Sequence, residues 1–405
     1  MEGQRGTRPV SGSLQAYVEG FRAELAGLGY SPRSAEAQLR LLRHLSGWLV
    51  DRGLGAEALG KGVVRAFVVE RRTVTTKLRS ERALVPLLGY LRALGVAPAT
   101  APAAPSTPAE ALLQRFGSFL STEKSLAPET VRSYASLVRP FVATHAERPG
   151  GWAALTARDV DDFLVARAGI ERPGSVGVRA NALRSLLRWM WRERLVAASL
   201  PDAVGRVSAP AAATFGPPTL DAEAVAGLFA ALSGDEPGSV RDRAMLVLLA
   251  RLGLRAGEVA WLRLEDLDWR AGVLRVRGKR GRVDELPLPA DVGANLSAYL
   301  HRARPAGTGH REVFLALDAP HRPLTGSAVS GVVVRARDRA GITGPGAAHR
   351  LRHTAACAVL AGGGGLAEVA QLLRHEHPAA SARYARADLV ALAVLARPWP
   401  AGAAR

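Results

Sequence analysis

The sequence predicts a mainly α-helical chain with one small β-hairpin sheet: two small all-helical domains followed by a larger α+β domain. Three observations predict this. Apolar residues recur at the 3.6-residue helical period through most of the chain. Two stretches of Ala, Pro, Ser and Thr interrupt that pattern; without long apolar side chains they cannot pack a core and favour extended spacers. One run, GVLRVRGKRGRVDELPL at 272–288, reads as a β-hairpin turning at Gly278 to Gly281.

The Ala/Pro-rich stretches, APATAPAAPSTP and SAPAAATFGPP, set the expected boundaries. They give an N-terminal helical domain at 1–98, a linker at 99–107, a second helical domain at 108–207, a linker at 208–218 and an α+β domain at 219–405. A chain of 405 residues suits such a division.

The two helical domains resemble each other. Ser31-Pro32 followed by Leu41, Leu42 and Leu45 matches Ala127-Pro128 followed by Leu137, Val138 and Phe141, at an offset of 96. Leu84, Leu87, Leu88, Tyr90 and Leu91 match Leu183, Leu186, Leu187, Trp189 and Met190 at an offset of 99, so a three-residue loop difference reconciles the two. Duplication of one small helical domain is expected, the first copy being the more degenerate. In that copy Pro86 should kink the last helix or shift its start. In the second, Thr156 with Asp159 three residues on forms a capping box opening a helix through Val160, Phe163 and Leu164.

In the third domain Thr219 is the expected N-cap, with Asp221 and Glu223 in the first turn and Val225, Leu228 and Leu232 on the apolar face. A helix over 241–252, rich in Met, Leu and Val, should be fully buried. From Ala347 onward the pattern is helical, broken at Gly362 to Gly365. That run lacks the Gly-Lys-Ser/Thr ending of a phosphate-binding loop and reads as a helix–helix turn.

Lys plus Arg number 54 against 36 Asp plus Glu, a net charge of +18, which calls for a polyanionic partner such as nucleic acid. A lone Cys357, in an apolar stretch, excludes an intrachain disulfide and a thiolate metal cage, and reads as a core residue. No apolar signal region and no membrane-length run occurs, so a cytoplasmic protein without membrane partners is expected.

Six residues carry the chemistry. Arg255 lies in the turn LGLRAGEV, where a rigid guanidinium fork can meet two phosphate oxygens; Glu258, three residues on, can orient neighbouring elements by hydrogen bonding. Lys279 stands at the hairpin tip, 24 residues after Arg255, placed to protonate a leaving oxygen. His349 and Arg352 share one helical face, with His353 a turn below His349. His375 follows 26 residues after His349, and Tyr384 nine after that. Two arginines, two histidines and a lysine would surround a phosphodiester while the tyrosine attacks it. His349, His353, His375 and His377 are four potential metal ligands, but no Glu lies inside HRLRH and no carboxylate or Cys occurs at useful spacing beyond Glu376, so neither metal nor cofactor is expected.

The segments LGLRAGEVAWLRLEDLDW, GKRGRVDELPL, HRLRHT and LLRHEHPAASARY resemble, in order and spacing, the motifs of the tyrosine recombinase, or phage-integrase, family over about 219–396. Residues 108–205 are more loosely similar to that family's SAM-like, core-binding domain. The resemblance implies a site-specific DNA recombinase cutting and rejoining DNA through a 3′-phosphotyrosyl intermediate and a Holliday junction. Tyr384 would be the nucleophile, Arg255 and Arg352 would hold the non-bridging oxygens, His349 would help deprotonate Tyr384, His375 would donate to the phosphate, and Lys279 would protonate the 5′-oxygen. Its partners would be double-stranded DNA sites and three further copies in a homotetramer, with accessory proteins an open class. The extra N-terminal copy points to a mobile element.

Arg374 departs from the family's usual Gly before the histidine, and is expected to contact DNA or perturb His375. The apolar tail at 389–396 would dock on a neighbouring subunit or on its own. Candidate DNA contacts outside the six are Lys77, Arg79, Arg179, Arg184, Arg188, Arg280 and Arg282; Arg179, Arg184 and Arg188 lie, with Arg192, off the apolar stripe of one helix. Two alternatives stand: a monomeric type IB topoisomerase-like enzyme, revealed by site-independent relaxation, and a non-catalytic DNA-binding regulator, which would be free to lose the six positions.

Overall fold

Proline and short polar caps mark where the helices begin. In a computed structural model describing residues 12–74, 78, 80–99, 107–196, 200–205, 218–278, 281–344 and 348–385, Pro32, Pro86, Pro108, Pro128, Pro173 and Pro237 each sit in the first turn of a helix. There a missing N–H costs nothing and the fixed φ is already helical. Ser31, Thr107, Asp221 and Thr325 are the N-caps, each accepting from the backbone N–H three residues on.

The N-terminal helices are α1 (Val18–Gly27), α2 (Pro32–Val50), α3 (Lys61–Val74) and α4 (Val85–Ala93). They share a core of Leu14, Phe21, Leu41, Leu42, Leu45, Phe67, Leu87 and Leu91. Pro86 shifts the start of α4 rather than kinking it. The next set is α5 (Pro108–Thr122), α6 (Pro128–His145), α7 (Ala157–Ala168) and α8 (Pro173–Arg192), around Phe116, Val138, Phe141, Leu183, Leu186, Leu187 and Met190. Of the matched positions, Leu41, Leu42, Leu45, Leu84, Leu87, Leu88 and Leu91 are buried in the first set and Val138, Phe141, Leu183, Leu186, Leu187, Trp189 and Met190 in the second, with Tyr90 and Leu137 partly buried.

The remaining elements are α9 (Ala222–Ala230), α10 (Pro237–Arg251), α11 (Ala256–Ala260), β1 (Leu267–Asp268), β2 (Val273–Arg277), β3 (Val283–Pro287), α12 (Ala290–Arg302), α13 (Gly326–Arg339), α14 (Ala348–Ala361), α15 (Leu366–Leu373) and α16 (Pro378–Ala385). The sheet is antiparallel in the order β1-β2-β3, with Leu274 opposite Leu286 and Arg275 opposite Glu285. Leu274 and Val276 alternate inward, as a sheet covered on one face demands. α10 packs against α12 and α14.

Two expectations are corrected. The N-cap of α9 is Asp221, not Thr219, because the Asp221 carboxylate reaches the Ala224 N–H at 2.7 Å. α10 starts at Pro237 and is not buried all round: Arg241 lies on its partly exposed side, bonded to Asp242 and to the Leu315 carbonyl. β2 and β3 pair as the expected hairpin, residues 279–280 of its tip lying outside the described residues, and the glycine turn between α14 and α15 forms as expected.

Contacts divide the chain into two compact units, one gathering the described residues of 101–213 and the other those of 1–100 with 214–405. No described helix is long and apolar enough to cross a membrane.

The capping box of α7 forms: the Thr156 N–H donates to Asp159 at 2.8 Å and the Asp159 N–H to Thr156 Oγ1 at 3.4 Å. Burial pushes the Asp159 carboxyl up, but hydrogen bonds from Thr156 and Arg148 outweigh it and hold it down to about 2. Its contribution is therefore complete above the unfolded value near 3.8 and lost as pH falls toward about 2. Thr156→Ala should lower unfolding stability by about 1 kcal/mol at neutral pH, with the deficit shrinking across that acid window in denaturant titrations.

Candidate active site

The site is built where the turn after α10 meets the end of α15. Arg352, on α14, is only 2% exposed. One of its terminal nitrogens donates to the Gly253 carbonyl and the other to the Leu373 carbonyl. A buried charge needs such partners, and a planar fork with fixed donors suits two carbonyls better than an ammonium does. Burial, then the like charges of Arg255 and Arg374, pull its pKa down to about 10, with Glu258 and Tyr384 opposing. That is still far above neutrality, so Arg352 remains a cation at pH 7. Gly253 has φ +56°, and an added Cβ would lie 3.0 Å from Leu373 Cδ2. Only glycine takes that backbone without strain and lets the two turns approach.

Arg255 is the N-cap residue of α11. Its backbone N–H donates to Glu258 Oε2 at 2.8 Å and its Nη1 to Oε1 at 2.6 Å. Its side chain stays 41% exposed while that of Glu258 is 4% exposed. Burial pushes the Glu258 carboxyl up, but Arg374 and the Arg255 hydrogen bonds more than offset this, so it lies below the usual range.

Of the two expectations for Arg374, contact with DNA is corrected. Its side chain does not face outward to DNA: it is 4% exposed and donates from Nη2 to Glu258 Oε2 at 2.7 Å. Glu258 therefore orients arginines on both sides, a role the sequence reading assigned only in general terms. His375 Nδ1 lies 2.7 Å from Ser381 Oγ, which fixes its ring.

Tyr384 is 1% exposed, packed on Ala356, Leu360, Val369 and Leu373. Its hydroxyl lies 2.7 Å from Nδ1 of His353, which stands one turn along α14 from His349. The His349 ring packs edge-on against His353 at 4.6 Å, and the His375 ring stacks by Tyr384 at 6.4 Å. His353 is reachable from sequence, as it lies one turn from His349 on the same face; Ser381 has no sequence signal. Cys357 lies partly buried beside the Tyr384 cluster, nearer its edge than its centre.

Arg255, Arg352, His349, His375 and Tyr384 thus fall in one region. Lys279, Arg280, Lys77, Arg79 and the 389–396 tail lie outside the described residues. Arg282 sits on the hairpin, paired with Asp284 at 2.7 Å and about half exposed.

In the unit 101–213, Arg184, Arg188 and Arg192 line a groove of about 350 Å³ with Lys124 and Tyr134, which the sequence reading did not name. Arg179 is corrected: its guanidinium is turned in, paired with Glu171 at 2.6 Å and donating to the Leu137 carbonyl, with 12% of the side chain exposed.

Arg352→Lys keeps the charge but cannot span both carbonyls. Its stability should fall by about 1–3 kcal/mol, read from the denaturant midpoint; an unchanged midpoint would show that neither carbonyl depends on the fork.

The chain matches the phage integrase family over residues 218–389 and the N-terminal SAM-like domain of phage integrases over 113–194. It is 35% identical over 401 residues to a putative integrase/recombinase, y4rA, of Sinorhizobium fredii (strain NBRC 101917 / NGR234), covering 97% of this chain and 96% of that one. It is 32% identical over 276 residues to the tyrosine recombinase XerD of Mycobacterium tuberculosis (strain CDC 1551 / Oshkosh), covering 65% and 88%. In fold it is similar to a lambda integrase tetramer bound to a Holliday junction, with TM-score 0.53 and 17% identity over 80% of this chain and 90% of that one. With the fold, the ordered motifs and a relative matched along nearly its whole length, the chain belongs to the phage integrase family and is a site-specific tyrosine recombinase, an enzyme that breaks and rejoins DNA.

Proposed function

We propose that Tyr384 is the nucleophile, joined to a 3′-phosphate while a 5′-hydroxyl leaves, and that Arg255, Lys279, His349, Arg352 and His375 serve that step. The observation that carries this reading is the cation pair Arg255 and Arg352, fixed by Glu258 and by two backbone carbonyls beside the buried tyrosine. A phenol with an ordinary pKa near 10 is a poor nucleophile at pH 7, and needs a base or a cationic site to become one. Donors fixed before reaction lower the barrier where charge develops on the phosphate, because they need no rearrangement at that moment. His353, at hydrogen-bond distance from the hydroxyl, is the group in place to accept the phenolic proton, with His349 packed behind it. The phosphotyrosyl bond keeps the energy of the broken one, so rejoining needs no nucleotide cofactor.

The residues 108–207 and 219–405 would hold the duplex as core-binding and catalytic domains, joined by the 208–218 linker. Arg184, Arg188, Arg192 and Lys124 would meet phosphates across their groove. The lambda integrase tetramer bound to a Holliday junction supports a homotetramer acting on two sites; such an enzyme would work in the cytoplasm, on the nucleoid. The 1–98 copy, absent from compact members of the family, supports service to a mobile element.

The test is covalent trapping on nicked duplexes made from the DNA flanking the gene. Wild type should leave a denaturation-resistant adduct at a defined phosphate, and Tyr384→Phe none. Arg255→Ala should reduce adduct formation by about 10²- to 10³-fold. Binding without any wild-type adduct would favour a regulator, and site-independent relaxation a topoisomerase.

A further inference from the structure

The two turns that meet at Arg352 are joined a second time. α15 ends in a Schellman motif: the Arg374 N–H donates to the Gln371 carbonyl at 3.1 Å and the His375 N–H to the Ala370 carbonyl at 3.0 Å. That motif needs a left-handed residue, and Arg374 supplies it with φ 54° and ψ 49°. Glycine holds such positions without penalty, whereas a residue with a Cβ is strained there. The strained residue is also buried, its Nη1 donating to the Leu372 carbonyl at 3.0 Å and its Nη2 to Glu258 at 2.7 Å. Strain of this kind persists where the surrounding structure requires that side chain.

We infer that Arg374 is a positioning residue for DNA cleavage: through Glu258 it fixes the guanidinium of Arg255, and through its own turn it sets the backbone of His375. Glu258 carries the linkage because Oε2 takes Arg374 Nη2 and the Arg255 N–H, while Oε1 takes Arg255 Nη1. Without Arg374, one lobe of a buried carboxylate loses its charged partner, and Arg255 is held by a group free to rotate or protonate. A buried Arg374–Glu258 pair is weak evidence for stability, since desolvation offsets the attraction. What it supplies is one orientation. The inference rests on Arg255 acting at the phosphate, as proposed above.

The charged groups around Glu258 are Arg255 at the start of α11, Arg374 at the end of α15 and Arg352 on α14, with Asp284 of β3 facing Arg374. Arg374 is the foremost of those lowering the Glu258 pKa. Its removal raises that pKa, so the carboxylate protonates at higher pH and the acid limb of cleavage moves upward.

The test is Arg374→Gly in the full chain, which keeps the turn and removes only the side chain, beside Glu258→Gln, the double variant and Arg374→Lys. On a nicked duplex that wild type is first shown to cut, Arg374→Gly should slow adduct formation by on the order of 10²-fold. Its acid limb should move to higher pH, with partial recovery in Arg374→Lys. Without DNA, Arg374→Gly should shift Tm upward more in the Glu258→Gln background than in the wild-type one. An unmoved rate and pH profile, or equal Tm shifts in both backgrounds, overturns the inference. Failure of the proposed reaction would instead appear in wild type, as no adduct at all.

Discussion

The catalytic half of this recombinase depends on where the Arg352 guanidinium is seated. A cation withdrawn from water is costly unless each polar direction is met, and here two backbone carbonyls meet it. Neither carbonyl is spare by accident. Leu373 closes α15, where the last carbonyls of any helix lack partners within it. Gly253 lies in the turn between α10 and α11, in a left-handed backbone conformation where an added Cβ would press on Leu373, and its carbonyl meets Arg352. One side chain therefore completes two loop ends, and those same ends carry Arg255 on one side and His375 on the other.

From that seat the electrostatics follow. Three guanidiniums, of Arg255, Arg352 and Arg374, share a region with one buried carboxylate, Glu258. An excess of fixed positive charge is unfavourable within the protein alone and becomes favourable once a phosphate enters. Tyr384 stands beside it under an apolar cluster, its hydroxyl held by His353. A phenol in that setting is kept from solvent yet remains near the cations that stabilise its anion.

Much of this was readable in the sequence, for identifiable reasons. The helices were legible because apolar period, prolines in first turns and short polar caps all agree. Lys279 lies outside the described residues; the grouping of Arg255, His349, Arg352, His375 and Tyr384 in one region was legible because unusual residue types recur at fixed spacing. Partners within the site were not. That His353 reaches the Tyr384 hydroxyl depends on how α14 rotates against α16, a tertiary fact. Arg374 looks like surface charge in one dimension, and only the left-handed turn sends it inward to Glu258. Arg179 misled for a like reason: it lies off the apolar stripe of α8, but Glu171 and the Leu137 carbonyl draw it in. Asp221 outcompeted Thr219 as a cap because the helix begins one residue after it, a boundary that composition alone does not set.

In the DNA-free chain Arg352 is already locked between two carbonyls, so the site proposed to bind phosphate would be assembled before DNA arrives. Hydrogen exchange of arginine side-chain protons, resolved by ¹⁵N nuclear magnetic resonance on the DNA-free full chain, tests it directly. Beside the signals of the other buried arginines, Arg179 and Arg374, a strongly protected pair of Nη signals is expected that is absent from Arg352→Lys and unchanged when duplex is added. Exchange of those protons as fast as in exposed arginines, with protection appearing only on DNA, would contradict it.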